Sequence, residues 1–318
     1  MQSRGTRLIR IAGRIALFAA VGIGAVLLAF SGWLGWQTIR DPLEALPPLH
    51  GDLQVLKDTP CAGAVEPGRL CRRLVLADET GHQVSIAVNR PDTAQPAPAL
   101  LLLAGNRAGQ DTVQLIADPG PNALIGYEYP FAKRWPRGLA ALPVVFRTRQ
   151  AALAVPGEAA AIFRWARRQA WVDNGRVAVA GFSLGALYMP ATLHRAQADG
   201  DAPKVAIIGF GGAGLGAIFS RAAAAIPQPL SARAATALRP LEPAVHLPMV
   251  RATVLVIEAD NDELMPAEAR DRLVALLPEP KTVVRLSGDH VAGAQSEMGR
   301  AAAAIAREWL VETGAMNP

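Results

Sequence analysis

The chain has 318 residues and a mass of 33.5 kDa, is 51% hydrophobic and 19% charged, and has a mean hydropathy of +0.21. A polymer this long buries a sizeable core, so wholesale disorder is excluded, and the composition lies between that of a soluble enzyme and that of a membrane protein. The net charge of +5 is no nucleic-acid footprint: five of the 32 Lys+Arg fall in residues 1–40 without any acid, which leaves 27 against 27 Asp+Glu beyond them, and 5% aromatics offer little to stack bases on.

The first predicted element is Ile15–Trp36 (IALFAAVGIGAVLLAFSGWLGW), 22 residues without a charged side chain. As a helix it spans about 33 Å, enough to cross the hydrocarbon layer. Arg4, Arg7, Arg10 and Arg14 precede it and nothing comparable follows closely, which predicts residues 1–14 in the cytoplasm and the rest outside, with Trp33 and Trp36 at the far interface. The pattern reads as a signal anchor in the inner membrane. A cleaved signal peptide has the same basic start, and Ala29-Phe30-Ser31 is a passable cleavage site, but the apolar run exceeds the usual length of such a segment. The row Ala16, Ala20, Gly24 is too common by chance to argue for a partner helix.

Residues 37–50 (QTIRDPLEALPPLH) read as a Pro-rich tether and residues 51–318 as the folded domain. Cys61 and Cys71, the chain's two cysteines, stand ten apart in CAGAVEPGRLC. Outside the cytoplasm that pair reads as a disulfide, contributing about 2–3 kcal/mol by closing a short loop. Free thiols are the alternative, and two thiolates without a nearby His fall short of a metal site. No metal and no organic cofactor is expected anywhere in the chain.

RRLVLAD, a turn at Glu79-Thr80-Gly81, and HQVSIAVNRP alternate apolar and polar residues and predict an antiparallel hairpin. After Pro98 the pattern changes to short continuous apolar runs at 99–105, 123–130, 176–183, 204–212, 252–260 and 282–288. Strands buried on both faces read this way, as in a parallel sheet between two helical layers. Helices are predicted at 150–170, 184–199, 266–277, with Pro266 as first residue, and 294–313. The expected fold class is α/β: a doubly wound, mostly parallel sheet with an antiparallel N-terminal hairpin, preceded by one transmembrane helix. Residues 213–248, Ala-rich and then Pro-rich, read as a helical excursion above the carboxyl ends of the strands, where open α/β sheets bind ligands.

Gly181-Phe182-Ser183-Leu184-Gly185 is G-x-S-x-G between an apolar strand and an apolar helix, the setting in which a strained turn presents a nucleophilic serine. Gly181 and Gly185 are required where a side chain would collide with neighbouring backbone. A serine hydroxyl needs a base and an acid to orient that base. Of five histidines, His50 lies in the tether, His82 at the hairpin turn, His194 about three turns down the helix after Ser183, and His246 in the Pro-rich excursion. His290 follows the last predicted strand, in Ser287-Gly288-Asp289-His290, and is the candidate base. VLVIEAD delivers Asp260 and Asp262 to the loop before Pro266; Asp262, in the turn that starts the next helix, is the candidate acid and Asp260 the alternative, while Asp289 reads as a loop cap.

In that order, Ser183, Asp262 and His290, each in a loop after a successive strand, the chain resembles the α/β-hydrolase superfamily over residues 70–313, and its compact plan is similar to the dienelactone-hydrolase and acyl-thioesterase-like branches. The resemblance implies a serine hydrolase acting through an acyl-enzyme on a carboxylic ester or thioester, with a small or lipid-like acyl group. It also implies an oxyanion hole made by the Leu184 amide and by an amide of the early loop Leu103-Ala104-Gly105-Asn106-Arg107, assigned to Asn106. Many relatives carry His-Gly in that loop, whereas this chain has Ala104. An acyltransferase using the same acyl-enzyme, and a non-catalytic envelope protein on the same scaffold, remain alternatives, and the sequence leaves the oligomeric state open.

Three further features have bland readings beside functional ones. Gly209-Phe210-Gly211-Gly212-Ala213-Gly214 satisfies the dinucleotide fingerprint, but no acid occurs between Gly214 and Glu242 to meet a ribose, so a small-residue corner is the better reading. Arg147 and Arg149 face either solvent or an anionic substrate group, and Tyr127, Tyr129 and Trp135 either fill the core or line an acyl pocket.

Overall fold

The computed structural model describes residues 4–49, 51–63, 65–105, 108–131, 141–222 and 228–318. The chain divides into two compact units, one ending at Asp41 and the other starting at Pro42. The first unit is a single helix, α1 (Arg4–Ile39). Over Leu17–Ile39 it has a mean hydropathy of 2.1 and outward-facing side chains such as Phe18 and Leu28, so it is long and apolar enough to cross a membrane, a measure that an N-terminal signal sequence also meets.

The second unit holds a nine-stranded sheet: β1 (Gln54–Pro60), β2 (Arg69–Ala77), β3 (Gln83–Pro91), β4 (Ala97–Leu103), β5 (Ala123–Tyr127), β6 (Val172–Phe182), β7 (Val205–Gly209), β8 (Thr253–Ala259) and β9 (Lys281–Leu286), in the order β1-β2-β3-β5-β4-β6-β7-β8-β9. β1, β2 and β3 form an antiparallel meander, β3 pairs antiparallel with β5, and β5, β4, β6, β7, β8 and β9 run parallel. The sequence predicts a hairpin at the start; β1 extends it by a strand. Its side chains are nearly all exposed, so it carries no alternation to read. The β2–β3 turn is built by Asp78, whose Oδ1 accepts from the Thr80 amide, the Thr80 hydroxyl and the His82 amide, with Gly81 at φ 84°. A disulfide joins Cys61, just past β1, to Cys71 in β2.

The inner parallel strands are apolar because both faces are covered; β9, whose run at 282–288 predicts the same, is instead partly or fully exposed along its length, because it lies at the edge of the sheet. Leu101, Leu103, Val179, Ile208 and Val256 point to one side, packing with residues of α3 (Ala141–Arg167) and α4 (Leu184–Ala198). Leu100, Leu102, Ala180, Ile207 and Ile257 point to the other, against Ala302, Ala306, Trp309 and Leu310. Each fully buried Leu or Ile contributes on the order of 2 kcal/mol of hydrophobic stabilisation. α2 (Thr112–Leu115), one turn long, follows β4 and has no counterpart in the sequence reading. α3 starts nine residues before the predicted 150 and contains Pro156. The excursion holds α5 (Leu215–Ala222), α6 (Gln228–Ala237) and the one-turn α7 (Pro243–His246). α8 (Ala267–Leu276) has Pro266 as its N-cap rather than its first residue, and α9 (Glu297–Glu312) is capped by Ser296, whose Oγ accepts from the Gly299 amide at 3.0 Å.

The segment read as a tether is structured: α1 runs to Ile39, and Ala45 and Leu46 are buried in the second unit. The Pro47 carbonyl lies so close to Gly157 of α3 that a Cβ there would sit 2.3 Å from it. Apolar side chains interleaved with the prolines (Leu43, Leu46, Leu49) pack against the core instead of trailing in water.

Candidate active site

β6 ends at Phe182 and α4 begins at Leu184, so a single residue makes the turn between them. Ser183 does so at φ 54°, ψ −113°, a conformation that costs a non-glycine residue about 1–3 kcal/mol. Its amide donates to the Gly209 carbonyl at 2.9 Å and its own carbonyl accepts from the Ala186 amide at 3.0 Å, which holds the corner. The flanking glycines are dictated by space. A Cβ on Gly181 would meet Met189 Cγ at 2.2 Å and the Gly185 carbonyl oxygen at 2.6 Å; one on Gly185 would lie 1.8 Å from the Leu103 carbonyl oxygen.

His290, beyond β9, puts Nε2 2.7 Å from Ser183 Oγ and Nδ1 2.7 Å from Asp262 Oδ2. The other carboxylate oxygen of Asp262 accepts from the amides of Leu264 (2.9 Å) and Met265 (2.7 Å), so the group is fixed by its own turn and has Oδ2 left for the ring. A carboxylate facing Nδ1 makes that nitrogen the donor and leaves the Nε2 lone pair to accept from the serine hydroxyl. The Asp262 side chain is fully buried and that of His290 is 5% exposed, so water competes little for these bonds. The rings of His290 and Phe210 stand edge to face with centroids 6.0 Å apart, and the His290 amide donates to Glu263 Oε2 at 2.9 Å. Neither Glu263 nor Phe210 is marked by any sequence signal: Glu263 is a second acid beside the one that reads as functional, and Phe210 sits inside a motif that points elsewhere.

Asp260, the alternative acid, has a different task. Its Oδ1 accepts from the Gly288 amide at 2.8 Å and its Oδ2 from the Ser287 hydroxyl at 3.1 Å. These bonds, the Gly288 amide first, hold the exposed carboxyl below its ordinary range. Asp260 therefore organises the loop that leads into His290, and Asp289 is exposed on that loop.

Leu184 opens α4, so its amide belongs to the first turn, whose N–H groups have no acceptor within the helix. Asn106 lies outside the described residues, as do His50 and Trp135. The described start of the early loop stands beside the serine: a Cβ on Gly105 would be 3.6 Å from Ser183 Cβ, and the Ala104 carbonyl accepts a 2.7 Å hydrogen bond from the Tyr129 hydroxyl.

The fingerprint-like Gly209–Gly214 segment is a corner. A Cβ on Gly209 would meet the Phe182 ring at 2.4 Å, and the amides of Gly214 and Leu215, where a phosphate would sit in a dinucleotide fold, both donate to the Glu242 carboxylate at 2.7 Å. Arg149 donates to the Ala237 carbonyl at 2.9 Å, tying α3 to α6, and Arg147 is exposed. Tyr127 and Tyr129 are buried in the core.

No family model and no curated protein matches the chain. Solved structures do. Acetyl xylan esterase 1 from a Thermoanaerobacterium species is 12% identical, with a TM-score of 0.59 over 88% of this chain and 93% of that one. A cold-adapted esterase from an Arctic intertidal metagenomic library is 17% identical, with a TM-score of 0.54 over 79% and 98%. An esterase of Pyrobaculum calidifontis is 16% identical, with a TM-score of 0.53 over 91% and 94%. At such identities the likeness is one of fold, and the fold is that of the α/β-hydrolases.

Proposed function

We propose that the chain is a serine hydrolase that cleaves a carboxylic ester or thioester through an acyl-enzyme. The observation that carries the reading is the unbroken run of two 2.7 Å hydrogen bonds from Ser183 through His290 to Asp262, at the carboxyl ends of β6, β8 and β9. Ser183 Oγ attacks the substrate carbonyl as its proton passes to His290 Nε2; the tetrahedral oxyanion is held by the Leu184 and Asn106 amides; His290 returns the proton to the departing alcohol or thiol. Water, deprotonated by the same nitrogen, then attacks the acyl-serine and releases the acid. Asp262 keeps Nδ1 protonated and stabilises the transient imidazolium. Two aimed amides supply several kcal/mol of transition-state stabilisation, since loss of one such donor typically costs about 2.7–4 kcal/mol. That solved structures with this fold are described as esterases supports the same class of substrate.

The test is a fluorophosphonate probe on wild type and Ser183→Ala, followed by a panel of esters. Labelling of the wild type alone is expected; equal labelling of both ends the reading.

We also propose that α1 anchors the protein in the inner membrane with its arginines in the cytoplasm, leaving the body outside, where its disulfide forms. Protease added to spheroplasts is expected to digest the body, and full protection of it would rule this orientation out.

A further inference from the structure

Asp260, Asp262 and Glu263, all in the loop after β8, hold different parts of the stretch that carries the candidate base. Asp260 takes its start: it accepts from the Ser287 hydroxyl at 3.1 Å and the Gly288 amide at 2.8 Å, while the Asn261 amide donates to the Gly288 carbonyl at 3.0 Å. Asp262 takes the ring of His290, with Oδ2 2.7 Å from Nδ1. Glu263 takes the main chain: its Oε2 accepts from the His290 amide at 2.9 Å. Among the described residues no other hydrogen bond reaches the His290 main chain, and residues 291–293 beyond it belong to no helix or strand.

The acceptor is firmly placed. Asp262 Oδ1 accepts from the Leu264 and Met265 amides, which closes the turn that carries Glu263, and the Glu263 carbonyl accepts from Arg221 Nε of α5 at 3.2 Å. One turn therefore presents two carboxylates to one residue, Asp262 to the imidazole and Glu263 to the peptide. The bond to Asp262 alone leaves the ring free to pivot about Nδ1. A second anchor on the main chain removes that freedom and fixes where Nε2 points, 2.7 Å from Ser183 Oγ. A backbone N–H facing a carboxylate makes a charge-assisted bond, stronger than a neutral one. Glu263 is exposed, so no core packing depends on it.

We propose that Glu263 is a positioning residue: by accepting the His290 amide it aims Nε2 at the Ser183 hydroxyl. The inference rests on the serine-hydrolase reading. Glu263 acts through the histidine it holds. Acylation and deacylation both pass their proton through Nε2, so its loss falls on kcat and leaves ground-state binding, and with it KM, in place.

The experiment compares full-length Glu263→Ala, which removes the acceptor, with Glu263→Gln, whose side-chain oxygen still accepts, and with Glu268→Ala, which deletes an exposed glutamate in the first turn of α8. Steady-state hydrolysis of p-nitrophenyl acetate, the fluorophosphonate labelling rate, and the downfield proton NMR resonance of the Nδ1–H shared with Asp262, assigned by its loss in His290→Gln, are measured for each. A misplacement of about 1 Å can cost about 10²-fold, so slackening one of two anchors in Glu263→Ala is expected to lower kcat about tenfold. Labelling slows in parallel, the resonance broadens and KM stays within about twofold. Glu263→Gln is expected to restore the resonance and bring kcat back to within about threefold of wild type, and Glu268→Ala to keep it within about twofold. A Glu263→Ala enzyme with wild-type kcat overturns the proposal, as does a loss in Glu263→Gln as deep as in Glu263→Ala, or a rise in KM at unchanged kcat. A wild type that neither hydrolyses the ester nor labels at Ser183 overturns the serine-hydrolase reading instead; the resonance then still decides the proposal, which falls if Glu263→Ala leaves it sharp.

Discussion

Among the described residues, two places bring together a hydroxyl, an imidazole and a carboxylate: Ser183, His290 and Asp262 at the rim of the sheet, and Tyr127, His82 and Glu158 between β5, the β2–β3 turn and α3. The parts are alike and the order differs. In the first set the imidazole is in the middle, so one nitrogen can take the hydroxyl proton while the other stays bonded to the acid. In the second the carboxylate is in the middle, with Tyr127 on Oε2 and His82 Nε2 on Oε1 at 2.8 Å. Desolvation, reinforced by the charge of Glu158, pushes the Tyr127 phenol well above its ordinary range, so the hydroxyl keeps its proton and the set is a strut. Placement differs too. Ser183 is held in a strained one-residue turn beside a helix start, and Tyr127 lies in regular strand paired with Ile86. A list of functional groups therefore decides little; connectivity and position at the strand ends decide the proposed chemistry.

The comparison breaks most visibly at the two aspartates of the β8 loop. Asp262→Asn is expected to lower kcat by about 10⁴-fold, because the side-chain amide disfavours the tautomer that leaves Nε2 free. Asp260→Asn, which disturbs only the loop before His290, is expected to cost less than about tenfold; steady-state kinetics on one ester would expose a reversed order and with it a wrong assignment of the acid. In the strut, Tyr127→Phe leaves a buried carboxylate oxygen without its donor and is expected to cost about 1–3 kcal/mol by urea denaturation. The smallest effect is at His82. Its hydrogen bond to Glu158, and then the charge of that carboxylate, raise its pKa, although the side chain is 43% exposed. A raised pKa means stabilisation that is fully present below the unfolded value of about 6.5 and is lost as pH rises through the folded value. His82→Ala is thus expected to destabilise more at pH 6 than at pH 9, by less than about 1 kcal/mol given the solvent screening. An equal effect at both pH values would remove the ionic part of the strut.

The elements that were legible in the sequence are those with a strong local signal. Continuous apolar runs mark β4, β6, β7 and β8 because strands covered on both faces have no polar side to betray. The G-x-S-x-G spacing marks the β6–α4 corner because only glycine fits against Met189 and the Leu103 carbonyl. His290 stands out because one histidine alone follows the last predicted strand, and the choice between Asp260 and Asp262 turns on which lies nearer the next helix. What the sequence hides is long-range. β1 has no buried face to give it a period, Leu46 looks like part of a tether until α3 is there to meet it, and Glu158 resembles any helical surface acid until Tyr127 and His82 close over it. Tyr129 carries no pattern either, since its partner is a backbone carbonyl 25 positions away.

The Cys61–Cys71 clasp ties β1 to β2, at one margin of nine strands, while Ser183, Asp262 and His290 are borne by β6, β8 and β9 towards the opposite margin. Such a clasp is ill placed to serve as a redox valve. Reductants in its surroundings would act on how long the protein lasts, and leave the pace of its chemistry alone.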